Sequence, residues 1–301
     1  MPRTATRAKP SFVRLVRRLP RPLPPFPNET LASYLRRLEL ANGLPADRNG
    51  ASLGIRPGDD MGFVLRVLTG RSSKVLKHAL PQLGAADPRM PPLLREEPAR
   101  PHTACELCCR AAGIDQHVRR WVTHEQVICL RHRRWLGSPE EGTADQLDLA
   151  GHPDVLAAFR RHRNLIASRG RFAAQNAYET SARIVWDWQL QNRRLPAVSA
   201  RLDRLRDGRN CSYMDAATHA AQYPTAVALT SLLSSRYWRH QAFNAVEDHV
   251  HQFLQKVADT VTDGYYPAGG QDPLRDYLRY GGGGLPVMPR PATRMPADAR
   301  I

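Results

Sequence analysis

Four of the chain's five cysteines fall between residues 105 and 129. Cys105-Glu106-Leu107-Cys108 places two thiols at a two-residue spacing. Cys129-Leu130-Arg131-His132 repeats that spacing, with a thiol and an imidazole, after twenty intervening residues. Both spacings suit a zinc ribbon or treble-clef knuckle, because each tight turn presents two donors and two such turns complete a tetrahedron. Four protein donors leave no vacant position for water, so the expected ion, one structural Zn2+, supports folding and not Lewis-acid chemistry. The ligand set has competitors: Cys109 adjoins Cys108 and could replace it, and His102, His117 and His124 lie near. His124 falls inside a stretch rich in β-formers, Trp121 to Cys129, where it reads as a cross-strand surface residue. Cys211 stands alone and reads as buried or incidental.

The same search for catalytic groups finds little. Asp187, Asp203, Asp207, Asp215, Glu247 and Asp248 are scattered without the grouping of a two-metal centre. Glu247 and His251 share a helix face at i, i+4, which suits a surface contact. The glycine run 281–284 precedes no Lys-Ser or Lys-Thr pair and opens no helix, so it cannot cradle phosphate. A non-enzymatic protein is expected.

Charge supplies the partner class. Lys and Arg number 44 against 28 Asp and Glu, a formal net charge of +16, which favours an anionic partner: nucleic acid first, an acidic protein or membrane surface second. Residues 1–27 hold seven basic side chains and no acid. This arm reads as disordered and phosphate-seeking, though such a tail also serves solubility, and its composition suits an organelle transit peptide. Arg131, Arg133 and Arg134 crowd the second cysteine turn, where a rigid loop can meet phosphate or remain a solvated face. Clustered thiols without a disulfide framework fit a reducing, cytoplasmic setting, and no run of about 18 apolar residues offers a membrane span.

The elements needed to position these groups are mainly helical. Pro-rich residues 21–27 lead into a helix with Asn28 as its N-cap and Glu29 complementing its dipole; Leu31, Tyr34, Leu35 and Leu38 form its stripe, and Gly43 stops it. A second helix is predicted over 59–69, with Phe63, Val64, Val67 and Leu68 on one face. A third follows over 72–83 with Val75, Leu76, Ala79 and Leu80 inward. The connection Thr69-Gly70-Arg71 gives this pair helix-turn-helix spacing, and Lys74, Lys77 and His78, with Ser73, would form the face offered to DNA. An ordinary helical hairpin has the same pattern. Pro-rich residues 84–101 read as a linker, and further helices are predicted near 153–168, 172–192, 214–234 and 240–262, with Pro153, Asp154 and Asp215 at helix starts. The organisation expected is a disordered basic arm (1–27), a helix-turn-helix-like domain (28–98), a zinc ribbon (99–137), a helical C-terminal domain (138–280) and a disordered tail (281–301).

Two phrases resemble the TniQ family. One runs from Pro20-Arg21-Pro22-Leu23-Pro24 through Asn28 to Ala41-Asn42-Gly43-Leu44. The other is Cys105-x-x-Cys108, then Trp121, then Val127-Ile128-Cys129-x-x-His132 and Leu136. The resemblance covers about residues 20–137. It implies zinc ligation by Cys105, Cys108, Cys129 and His132, and a DNA-associated bacterial module acting in target-site selection during transposition. The implied role is that of an adaptor that binds DNA or a nucleoprotein complex and recruits a transposition ATPase. The alternative is a stand-alone zinc-dependent transcription regulator with the same helix-turn-helix.

Overall fold

The computed structural model describes residues 17–47, 50–85, 92–94, 97–137, 146–193, 195–206, 215–244, 246–267 and 270–280. The first sixteen residues of the expected basic arm, the expected tail 281–301, and Cys211 lie outside them. The protein is mainly helical, with eleven α-helices and three short antiparallel strand pairs among the described residues. The chain divides into two compact units, Met1–Thr123 and His124–Ile301.

In the first unit, α1 (Leu31–Ala41) starts two residues later than expected. Thr30, not Asn28, is its N-cap, accepting from Ser33 N. Asn28 instead adopts a left-handed turn at φ 57°, a conformation asparagine tolerates. Helices α2 (Met61–Thr69) and α3 (Ser73–Ala79) are capped by Asp60 and Ser72 and joined through Gly70 at φ +68°. Tyr34, Leu35 and Leu38 pack with Ile55, Val64, Leu65, Leu68, Leu76 and Leu80. Phe63 and Val75, expected inward, are 51% and 46% exposed. The buried stripe of α2 is Val64, Leu65 and Leu68, one residue round from the one expected, and Arg66 lies over the Phe63 ring at 5.2 Å. Helix α3 is also shorter than expected, because Pro81 cannot continue it.

Residues 17–27, expected in the disordered arm, lie on this unit. Leu19 N donates to Leu68 O, Tyr34 Oη donates to Leu23 O, and Leu19 and Leu23 pack against the core. Strands β1 (Leu93–Leu94) and β2 (Glu97–Pro98) pair within the expected linker. Next come β3 (Arg100–Thr103), α4 (Glu106–Ala111) and β4 (Arg119–Val122), with β3 and β4 antiparallel. The start of α1 binds to β4: Thr30 N donates to Arg119 O and Trp121 N to Asn28 O, while Gln82 Oε1 accepts from both Leu31 N and Trp121 Nε1.

At that junction Glu29 and Arg37 form an ion pair at 2.6 Å, their side chains 0% and 1% exposed. Glu29, expected to complement the helix dipole, is a core residue that also accepts from Phe26 N and Ser33 Oγ.

The second unit opens with the short pair β5 (Ile128–Cys129) and β6 (Arg134–Trp135), followed by α5 (Pro153–Arg169), α6 (Arg171–Leu190), α7 (Pro196–Arg206) and α8 (Ala216–Leu233). Fourteen of the eighteen residues of α8 are buried, and α5, α6 and α7 pack around it. Its many alanines suit close helix approach at native packing density. Asp215 caps α8 as expected, accepting from Thr218 N at 2.7 Å. The helix expected over 240–262 is two, α9 (Arg236–Ala242) and α10 (Glu247–Thr260), because Asn244 Oδ1 takes Val246 N and turns the chain. Helices α7 and α11 (Pro273–Arg279) were not expected. Asp272 begins α11, and its buried carboxylate also accepts from Trp188 Nε1 and Tyr265 Oη. Among the described residues no helix is long and apolar enough to cross a membrane.

Candidate metal centre and basic surfaces

The first cysteine pair sits on a helical turn. Cys105 is the N-cap of α4 and Cys108 lies three residues on, so one helical turn carries both thiols. Consecutive helical residues point about 100° apart. Cys109 accordingly turns inward, packing with Ala104, Ile114, Val118 and Phe26. Burial pushes its thiol up to about 11, as suits a core residue.

The second pair sits on a hairpin. Cys129 ends β5 opposite Arg134 of β6, and the turn between them closes with Arg133 at φ 49°. Cys129 Sγ lies 3.7 Å from His132 Nδ1.

One donor atom from each of Cys105, Cys108, Cys129 and His132 lies within 4.8 Å of all the others, and this cluster could hold a metal ion. Metal–sulfur and metal–nitrogen bonds of about 2.3 and 2.0 Å give tetrahedral edges of about 3.5 Å for S to N and 3.8 Å for S to S. The observed 3.7 Å lies within about 0.2 Å of the first value. No disulfide joins the cysteines of the described residues.

The competing donors stand outside the cluster. Cys109 is in the core, His102 is on β3, and His117 Nε2 faces Thr103 Oγ1 at 3.4 Å. His124 is not on a strand surface. It is 8% exposed, in the turn after β4, with its ring 5.1 Å from that of His162.

That contact belongs to a buried cluster that no motif in the sequence marks. The His162 ring lies 4.5 Å from that of Tyr178, tilted by 35°, and its Nδ1 meets Tyr223 Oη at 3.0 Å, while Arg171 Nη1 donates to both oxygens of Glu125 at 3.0 and 2.9 Å. Burial, then the neighbouring His124, pushes the His162 imidazole down to about 3, so the ring is neutral. Its Nε2 has no hydrogen-bond partner among the described residues. The segment Arg160-Arg161-His162-Arg163 reads as a basic surface; only the helical period, with Val155 and Phe159 also buried, separates His162 from its neighbours.

The expected nucleic-acid residues are distributed over two surfaces, one in each unit. Lys74, Lys77 and His78 are exposed on α3, while Leu76 and Ala79 face inward. Arg131 and Arg133 are exposed at the hairpin turn, whereas Arg134 is engaged by Asp148 at 3.5 Å and by the Gln146 carbonyl at 3.0 Å. Comparison with protein-family models, curated proteins and solved structures finds no match for this chain.

Proposed function

We propose that this chain is a non-enzymatic, zinc-containing DNA-binding adaptor that resembles the TniQ family and acts in transposition target-site selection. The observation that carries the reading is the α2–α3 pair, in which Lys74, Lys77 and His78 face solvent while Leu76 and Ala79 are packed inward. That division of faces is what a helix needs to enter a groove while remaining attached to its domain. The Cys3His donor set supports zinc as the ion, because thiolates and an imidazole in a tetrahedron select it over hard cations. Cys105, Cys108, Cys129 and His132 would hold the ion, and all four positions would then be filled, which suits a folding role. The partners on this reading are DNA or a nucleoprotein complex and a transposition ATPase.

The test is binding to duplex DNA across a salt series. Replacing Lys74 and Lys77 by Ala should leave the melting temperature unchanged, weaken duplex binding, and flatten the salt dependence by up to about two units of slope. Duplex binding unaltered in the double variant would remove α3 as the contact surface.

A further inference from the structure

A half-open pocket of about 420 Å3 lies in the second unit where the end of α9 meets α10 and α11. This is within the size range of small-ligand sites. Phe243, Val250 and Leu278 line it with apolar surface, and Asn244, Arg275 and Arg279 add polar groups. Arg275 is held by its Nε–H bond to Pro267 O at 3.2 Å, and Arg279 meets Asp276 at 3.8 Å, the loose end of an ion pair.

The pocket continues a basic stripe on α9. Phe243 N donates to Arg239 O, and Asn244 Nδ2 lies 3.5 Å from His240 Nδ1, so Arg239 and His240 stand one helical turn above the pocket residues. Arg236 is a further turn on, and Tyr237, 58% exposed, lies beside it. From Arg236 to Phe243 the helix rises about 10 Å, the length of about three nucleotides at a stacked rise of about 3.4 Å each. The acidic residues in the first turns of α10 and α11 are Glu247, Asp248 and Asp276. Four guanidinium groups outnumber them.

We propose that this pocket takes one unstacked base of a single-stranded nucleic acid. The base would lie against Phe243, Val250 and Leu278 with its edge at Asn244, while Arg275 and Arg279 take the flanking phosphates and the α9 stripe takes the continuing strand. Apolar surface with one amide favours a base, because every base has a π-face and a hydrogen-bonding edge. Concavity favours a single strand over a duplex, because a base inside a duplex stack cannot reach a recessed surface without being extruded. This site is separate from the α3 face proposed for duplex DNA.

The experiment measures fluorescence anisotropy of a fluorescein-labelled mixed-sequence strand of about twelve nucleotides, single and annealed, with the full chain across a salt series. Wild type is expected to bind the single strand more tightly than the duplex. Arg279→Glu, at an exposed position, should weaken single-strand binding about ten-fold with zinc content and melting unchanged. The Arg275→Ala/Arg279→Ala chain should flatten the single-strand salt slope by about 1.4, two phosphates at about 0.7 each. Lys74→Ala/Lys77→Ala should leave single-strand binding intact; if it also spares the duplex, the α3 reading fails while this one stands. Single-strand affinity unmoved by Arg279→Glu overturns the proposal. So does equal weakening of single strand and duplex, which would make α9 a duplex-contacting helix. A labelled Glu-rich peptide containing tryptophan that binds through Arg279 when the single strand does not would overturn it too.

Discussion

In the first unit the buried polar centre is an ion pair, Glu29 with Arg37, while in the second it is a set of rings around a neutral His162. The charged centre gathers backbone as well as side chains: Phe26 N binds the Glu29 carboxylate, and Arg37 Nη2 reaches Pro24 O. It therefore fixes where the proline-rich segment runs. The neutral centre gathers side chains from α5, α6 and α8 together with His124 and holds them by ring contact. A buried ion pair resists loss of one partner strongly, because the survivor is a charge without compensation. A buried neutral imidazole resists protonation instead.

The largest expected effect breaks the charged centre. Arg37→Ala should cost about 3–5 kcal/mol in denaturant unfolding, whereas replacing both partners by apolar residues of similar volume should cost much less. A double substitution as damaging as the single one would show that the pair's packing, not its charge, is what matters.

Acid should act on the neutral centre. With His162 lowered to about 3 in the folded protein against 6.5 when free, the unfolded chain binds the extra proton between those values. Stability from this group is complete above about pH 6.5 and is lost as pH falls towards 3, at up to about 1.4 kcal/mol per pH unit. His162→Gln should flatten that part of the stability profile relative to wild type. Unfolding curves measured from pH 7 to pH 4 that keep the same slope in the variant would assign the acid sensitivity elsewhere.

The thiols refine the contrast. Cys105→Ser should abolish metal content by elemental analysis, and Cys129→Ser should do the same. Cys109→Ser should keep the ion yet lose about 1–3 kcal/mol by placing a hydroxyl in an apolar core. Smaller still, Thr30→Ala should remove the α1 cap for about 1 kcal/mol, with the ion retained.

Helical character, the start of α8 at Asp215 and the α2–α3 connection were legible because each depends on neighbours in sequence: a period, a cap or a glycine. The metal cluster was legible because spacing within each turn restricts its donors, although only the fold separates Cys108 from Cys109 by turning the latter inward. What the sequence did not disclose depends on distant partners. Glu29 looks like a dipole-favouring first-turn residue until Arg37 and the Phe26 amide are placed around it. His124 looks like a strand residue until α5 brings His162 beside it. Phe63 and Val75 look inward-facing because apolar residues at helical spacing ordinarily are; the buried stripe is set by which neighbour each helix meets. Residues 17–27 look like part of a free basic arm because they are Arg- and Pro-rich and disfavour helix, yet an extended segment can still lie on a core through Leu19 and Leu23.

On the DNA-binding reading proposed above, the brevity of α3 limits how much sequence that helix could read. Seven helical residues extend about 10 Å, which spans about three base pairs at 3.4 Å each. With four base-pair identities distinguishable in the major groove, three positions recur by chance about once in 64. An element truncated by Pro81 would therefore be a poor address reader on its own and a serviceable grip. Choice of a unique locus would have to come from a second source of sequence information: another copy, another surface of this chain, or a partner that carries the address.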